Sequence, residues 1–266
     1  MVRRPLGNHL LRPHTHLVTS DAEKETAPVA DETEEHRKMT ELVRGARHVL
    51  FDFDGPICRL FAGRPAHTIA REQVEWLDAQ GLGDVLTEKE RGDDDPHAAL
   101  RSLGLQRPDS DLVEEMERRL SEQELWAVRS AWPTEHADPL IRTWAAVGVR
   151  LAVTTNNSPR AVRRYLSDRD LSGCFEPHIY GRTADLTRLK PDPYCLHRAL
   201  NALGAAPAGA LMIGDTATDL LAARAADVPF LGYARNERKA GLLRAAGAEA
   251  VVSSLEPVLD LVRKRR

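Results

Sequence analysis

Three short apolar runs, Val49 to Phe51, Val149 to Val153 and Ala210 to Ile213, each stop abruptly at a polar cluster and are each followed by a helical pattern. Strands separated by helices pair in parallel, because the chain must cross back over the sheet before it pairs again. Weaker strand signals at 178–180, 230–233 and 250–252, with helices between them, continue that rhythm to the end of the chain. The class is therefore α/β, a parallel sheet flanked by helices. In such sheets ligands collect beyond the carboxyl ends of the strands. Asp52 and Asp54, Thr155 and Asn156, and Gly214-Asp215 with Asp219 all follow an apolar strand directly, so they share one edge.

Side chains alternate along an extended segment, so Asp52 and Asp54 point the same way. An ionised carboxylate taken out of water is costly unless a cation or donors compensate it, and two of them together ask for a cation. Asp54-Gly55 on its own reads equally well as a turn. Together, the three clusters could carry phosphoryl chemistry. A carboxylate attacks phosphorus, and the charge that develops needs a hard cation, a hydroxyl and an ammonium around it. Asp residues and backbone carbonyls suit Mg2+, while no His or Cys set here suits zinc.

At 266 residues the chain is long enough for one large α/β domain with an insertion, or for two domains. Residues 1–40 carry Pro5, Pro13, Pro28 and an acidic run with almost no apolar periodicity, and read as a flexible extension. His14 and His16 within it read as solvated, and Met39 is a possible alternative start. Arg3-Arg4 is not followed by the apolar stretch of an export signal. No apolar run is long enough to cross a bilayer. Residues 61–132 show helical spacing only, over about 68–81, 98–103 and 109–131, and read as a separate helical module between core segments 41–60 and 133–266. Asp93-Asp94-Asp95-Pro96 within it reads as helix-start capping and dipole compensation.

A net charge of −3 gives no electrostatic case for nucleic acid, and Arg263 to Arg266 read as a solvated tail. Cys58, Cys174 and Cys195 form no metal spacing and favour a reducing, cytoplasmic compartment without disulfides. No feature fixes an oligomeric state.

The ordered set Asp52-x-Asp54-Gly55, Thr155-Asn156, Lys190-Pro191-x-Pro193 and Gly214-Asp215-x-x-x-Asp219 closely resembles the four motifs of the haloacid dehalogenase (HAD) superfamily. The resemblance runs from about residue 48 to the C-terminus, and the helical segment resembles the cap of the phosphoglycolate phosphatase-like branch. It implies a Rossmann-like core with an inserted all-helical cap and a Mg2+-dependent phosphatase acting on a small phosphorylated metabolite; charge and apolar run lengths, separately, give no nucleic-acid or membrane partner. It further implies Asp52 as the nucleophile that becomes an aspartyl phosphate and Asp54 as the acid and then the base. Thr155 and Asn156 would hold the phosphoryl group, and Lys190 would pair with its charge. Asp52, Asp54 (through its carbonyl), Asp215 and Asp219 would hold or support the metal. Dehalogenases of this fold lack the acid at Asp54, so its presence points to phosphoryl transfer; Pro56 departs from the usual Thr without removing a catalytic group. Arg59, Arg64, His67 and Arg182 are candidates for contacting a substrate anion. The same residues also allow a phosphomutase, or a binding protein that keeps the fold without turnover.

Overall fold

A computed structural model describes residues 34–264. Arg3-Arg4, His14, His16 and the rest of 1–33, with Arg265 and Arg266, lie outside the described residues. The chain opens with α1 (Glu34–Gly45) and β1 (His48–Phe51), then passes through β2 (Cys58–Arg59) into the helices α2 (Ala66–Ala79), α3 (Glu88–Arg91), α4 (Ala98–Gln106) and α5 (Asp111–Ala127). It returns through β3 (Trp132–Pro133) and continues as α6 (Ala137–Ala146), β4 (Arg150–Thr154), α7 (Pro159–Asp168), α8 (Ser172–Phe175) and β5 (Ile179–Tyr180). The remainder is α9 (Tyr194–Leu203), β6 (Ala210–Gly214), α10 (Ala217–Ala225), β7 (Phe230–Tyr233), α11 (Glu237–Ala245), β8 (Val251–Val252) and α12 (Glu256–Arg263).

Six strands form one parallel sheet in the order β5-β4-β1-β6-β7-β8, as expected for this α/β class. Strand alternation divides its side chains between two cores. Val49, Phe51, Leu151, Val153, Leu211 and Ile213 face one side, where Phe51 meets Trp144 edge-on at 5.8 Å. Leu50, Ala152 and Met212 face the other, under α9 and α10. After β1 the chain first builds outward through β4 and β5, then returns to the opposite side of β1 with β6. This reversal opens a crevice at the carboxyl end of β1, the place where a doubly wound sheet receives its ligand.

The helices α2 to α5 have a core of their own, built from Ile69, Leu77, Leu100, Leu103, Met116 and Leu120, which also takes in Leu186 and Leu189 from the loop before α9. The chain enters and leaves this segment through adjacent strands, with Arg59 paired to Trp132 and Cys58 to Pro133 in antiparallel register. Trp132 is thus a strand residue at the edge of the stretch read as purely helical. The helix read over 109–131 begins at Asp111, because Asp109 has a left-handed φ of 58° and Ser110 caps the helix by accepting from the Val113 N–H.

The reading of 1–40 as a flexible extension does not hold for its last residues. Positions 34–40 belong to α1, which carries Glu34 and Glu35 in its first turn and buries Met39 and Val43, four residues apart, in the first core. Polar composition hid a helix with a narrow apolar stripe. A start at Met39 would fall inside this helix. No helix among the described residues is long and apolar enough to cross a membrane.

Candidate active site

Asp52 lies immediately beyond β1, buried, and its Oδ1 accepts a hydrogen bond from the Lys190 Nζ at 2.8 Å. Lys190 arrives from the segment before α9 and also donates to the Thr154 carbonyl (3.0 Å) and the Asp219 carboxylate, so its ammonium has three acceptors. Burial works against that charge, but Asp219 and Asp52 overcome it and hold the lysine protonated far above its ordinary range. Burial pushes the Asp52 carboxyl up, opposed by the Lys190 charge.

Asp219 occupies the third position of α10 and forms a capping box with Thr216. Its Oδ2 accepts from the Thr216 N–H (3.0 Å) and hydroxyl (2.7 Å) and from the Asp215 N–H (3.1 Å). Both Asp219 oxygens are therefore engaged by protein donors, which makes this residue the anchor of Lys190 and of the Asp215 backbone. Asp215 differs. Its Oδ1 is buried without a hydrogen-bond partner, its Oδ2 touches the Lys239 ammonium, and burial raises its carboxyl to about 7 against the pull of Lys239. One carboxylate oxygen from each of Asp52, Asp215 and Asp219 lies within 4.8 Å of the others. An orphaned, buried carboxylate oxygen among hard oxygen donors fits a Mg2+ ion.

Two glycines make this close approach possible. Gly55 has a φ of 131°, and a Cβ there would stand 2.4 Å from the Asp215 Cγ. A Cβ on Gly214 would stand 2.4 Å from the Asp219 Cβ. Asp54, on the same side of the chain as Asp52, accepts from the Leu60 N–H at 2.8 Å. The residue is half-buried, and burial raises its carboxyl to about 6 despite that hydrogen bond. A carboxyl poised there can give and take a proton near neutral pH.

Asp52, Thr155 and Lys190 line a cavity of about 150 Å3, and Asp54 lines both this cavity and an adjoining one of about 420 Å3. The Thr155 hydroxyl donates to the Asn157 Oδ1 (3.0 Å) and accepts from the Asn157 N–H. Asn156 also borders the smaller cavity, but its amide brackets Lys190, accepting from the Lys190 N–H (2.7 Å) and donating to the Lys190 carbonyl (3.2 Å). Arg59 and His67 line the larger cavity. Arg64 borders neither; it pairs with Glu72 at 2.5 Å and lies over the Trp126 ring. Arg182 is buried under the site and not in it, donating to Glu117, Glu124, Ser121 and the Asn156 carbonyl.

That arginine leads to a cluster the sequence reading missed. Glu124 of α5, fully buried, accepts from Arg182, from the Asn157 side chain (2.9 Å) and from the Ser158 N–H (2.9 Å). Its other neighbour is His97, at 3.2 Å, which also meets Asp95 at 3.0 Å. Burial would raise the Glu124 carboxyl, but Arg182 and His97 hold it at about 2. Burial would lower the His97 imidazole, yet Asp95 and Glu124 keep it at about 9 and so charged. The acid run before α4 does not supply the N-cap, which is His97 and makes no side-chain cap; Asp95 accepts from the His97 N–H at 2.9 Å just before the helix, and also grips the His97 ring and Arg101. The signal was present in α5: Val113, Met116, Leu120 and Ala127 mark the buried stripe, and Glu124 falls on it. Arg101, another residue missed, borders the smaller cavity with its Nε buried and unpartnered.

A family model described as haloacid dehalogenase-like hydrolase matches residues 46–227. The chain is 38% identical over 124 residues to a phosphoglycolate phosphatase of Cupriavidus necator, a match covering 45% of this chain and 51% of that protein. It is 38% identical over 100 residues to a phosphoglycolate phosphatase of Rhodospirillum rubrum, covering 36% and 41%. The chain thus spans about half the length of the curated relatives it matches. A haloacid dehalogenase-like family hydrolase from Streptococcus pneumoniae superposes with a TM-score of 0.57 at 18% identity, covering 84% of this chain and 100% of that one, which is a likeness of fold.

Proposed function

The chain belongs to the haloacid dehalogenase-like hydrolases, and from that premise we propose that it is a Mg2+-dependent phosphatase of the phosphoglycolate phosphatase-like branch, hydrolysing a small phosphorylated metabolite. The observation that carries this reading is the pair at the end of β1: Asp52 bound by a permanently charged lysine, and Asp54 two residues on with its carboxyl raised to about 6. The first is shaped as a nucleophile and the second as an acid.

An Asp52 oxygen attacks the phosphorus, forming an acyl phosphate as the bond to the leaving oxygen breaks, and the Asp54 proton passes to that oxygen. Asp54, now a carboxylate, takes a proton from water, whose oxygen attacks the same phosphorus and releases Asp52 and inorganic phosphate. Lys190 favours the ionised Asp52 against the burial that raises its carboxyl and offsets the phosphoryl charge, while Thr155 faces the phosphoryl oxygens from the next strand. When bound, Mg2+ would be held by Asp52, Asp215 and the Asp54 backbone, with Asp219 supporting them, and would neutralise phosphoryl charge. The helices α2 to α5 act as the cap that shields the site from water. Three unpaired thiols support a reducing, cytoplasmic setting.

The test is phosphate release from a panel of phosphate monoesters with Mg2+, with a chelator, and with Asp52→Asn. Release should require Mg2+ and fall by about 10^3-fold or more in the variant, the scale expected for a lost nucleophile. Turnover that survives both removals rules the mechanism out.

A further inference from the structure

The phosphatase reading leaves the leaving group unspecified, and the larger cavity bears on it. Asp52, Thr155 and Lys190 line only the smaller space of about 150 Å3, which suits the phosphoryl group being transferred. Asp54 lines both spaces, and as the acid it must touch the leaving oxygen. The rest of the leaving group therefore continues past Asp54 into the cavity of about 420 Å3.

That cavity has an uneven charge. Arg59 reaches it from β2, and Arg235, Arg238 and Lys239 reach it from the turn after β7 and the first turn of α11, whose start Asn236 fixes by accepting from the Lys239 N–H at 2.9 Å. Lys239 is taken up by Asp215. The three arginines have no carboxylate partner among the described residues; Arg59 lies over the Trp132 ring, its Cζ 5.3 Å from the centroid. Against them stands Asp94, the one lining acid outside the catalytic group, so the outer half of the cavity carries an excess of two positive charges. Unpaired guanidiniums gathered around a concave space are a recognition device for a carboxylate or phosphate.

The size of the space adds a second constraint. The alcohol released from phosphoglycolate is a two-carbon acid, while a cavity of this volume lies in the range that takes a drug-sized ligand. Resting on the phosphatase reading, we propose that the substrate is a phosphate ester whose leaving group is larger than a two-carbon acid and ends in a second anionic group, a carboxylate or a second phosphate, bound by Arg59, Arg235 and Arg238.

The experiment measures binding to the full-length Asp52→Asn protein with Mg2+, so that affinity is read without turnover. Ligands are fructose 1,6-bisphosphate against fructose 6-phosphate, and 3-phosphoglycerate against glycerol 3-phosphate. The first pair tests a second phosphate and the second a carboxylate. In at least one pair the member with the second anionic group should bind about tenfold tighter or better, and more tightly than 2-phosphoglycolate, with the preference falling to about twofold or less in Arg235→Ala/Arg238→Ala. Equal binding within both pairs, tightest binding of 2-phosphoglycolate, or a preference untouched by the double substitution overturns the proposal. Wild-type hydrolysis of the same ligands reports separately on the phosphatase reading. Binding preference without phosphate release would reject that reading alone.

Discussion

At the scale of single residues, the two carboxylates at the end of β1 separate by environment. Asp52 is tied to an ammonium, whereas Asp54 has no cation in hydrogen-bond contact, and burial outweighs its Leu60 N–H bond in setting its proton affinity. Asp54→Asn should therefore lower kcat/KM, which reports on release of the alcohol and not on the later attack of water, by about 10^2 to 10^4 on an alkyl phosphate and far less on 4-nitrophenyl phosphate, whose phenolate departs without a proton. Equal losses on both esters would refute the acid role. With the carboxyl raised to about 6, its acid form is lost as pH rises through that value, so kcat/KM for the alkyl ester should decline above it. Asp52, Asp54 and Asp215 were legible because strand ends and two-residue spacing are local properties. Lys190 lies 138 positions from its partner Asp52, and only the order of motifs pointed to it. Arg64 was misleading for the complementary reason: closeness in sequence to the first motif says nothing of a side chain that turns to Glu72.

At the scale of elements, the principal finding is how α5 grips the loop that follows β4. Glu124 receives both the Asn157 side chain and the Ser158 N–H, so the turn presenting Thr155 is held from the helical segment by a buried charge cluster. Removing one partner of such a cluster strands the others, at a cost of about 3–5 kcal/mol. The His97 contribution has a definite pH signature. Its affinity for the proton is higher folded, at about 9, than unfolded, near 6.5, so its stabilisation is complete below 6.5 and is lost as pH rises to 9. Unfolding free energies from denaturant titration at pH 6 and 9.5 should differ by about 3 kcal/mol more in the wild type than in His97→Gln. Parallel behaviour of the two proteins would remove His97⁺ from the account. A helix pattern reveals which face is buried but not what a polar residue on that face will meet, and that is why Glu124 and Arg182 were not paired from sequence.

At the scale of the molecule, the parallel sheet was legible from strand and helix alternation, while its closure by α1 was not. Met39 and Val43 reach a core that also holds Leu255, Val258, Leu259 and Val262 of the last turns of the chain, so the first and last described helices close the same side of the sheet. Met39→Ala should cost about 2–5 kcal/mol in denaturant unfolding, the range for a truncated core side chain. A loss near zero would place α1 outside the cooperative fold.

The short pairing of β2 with β3 has a further meaning. Arg59 and Trp132 sit opposite one another, so the two ends of the helical segment are already one strand spacing apart before any of its helices is considered. The core does not have to hold those ends together through the helices, and it closes the ladder by itself. The segment is thereby attached like a shoot on a graft union. Its length can change while the Glu124 contacts to Asn157, Ser158 and Arg182 are kept, since lengthening a loop whose ends are fixed adds entropy cost only logarithmically. One core can in this way present the same pair of acids beneath different helical segments, while Arg235 and Arg238 stay with the core.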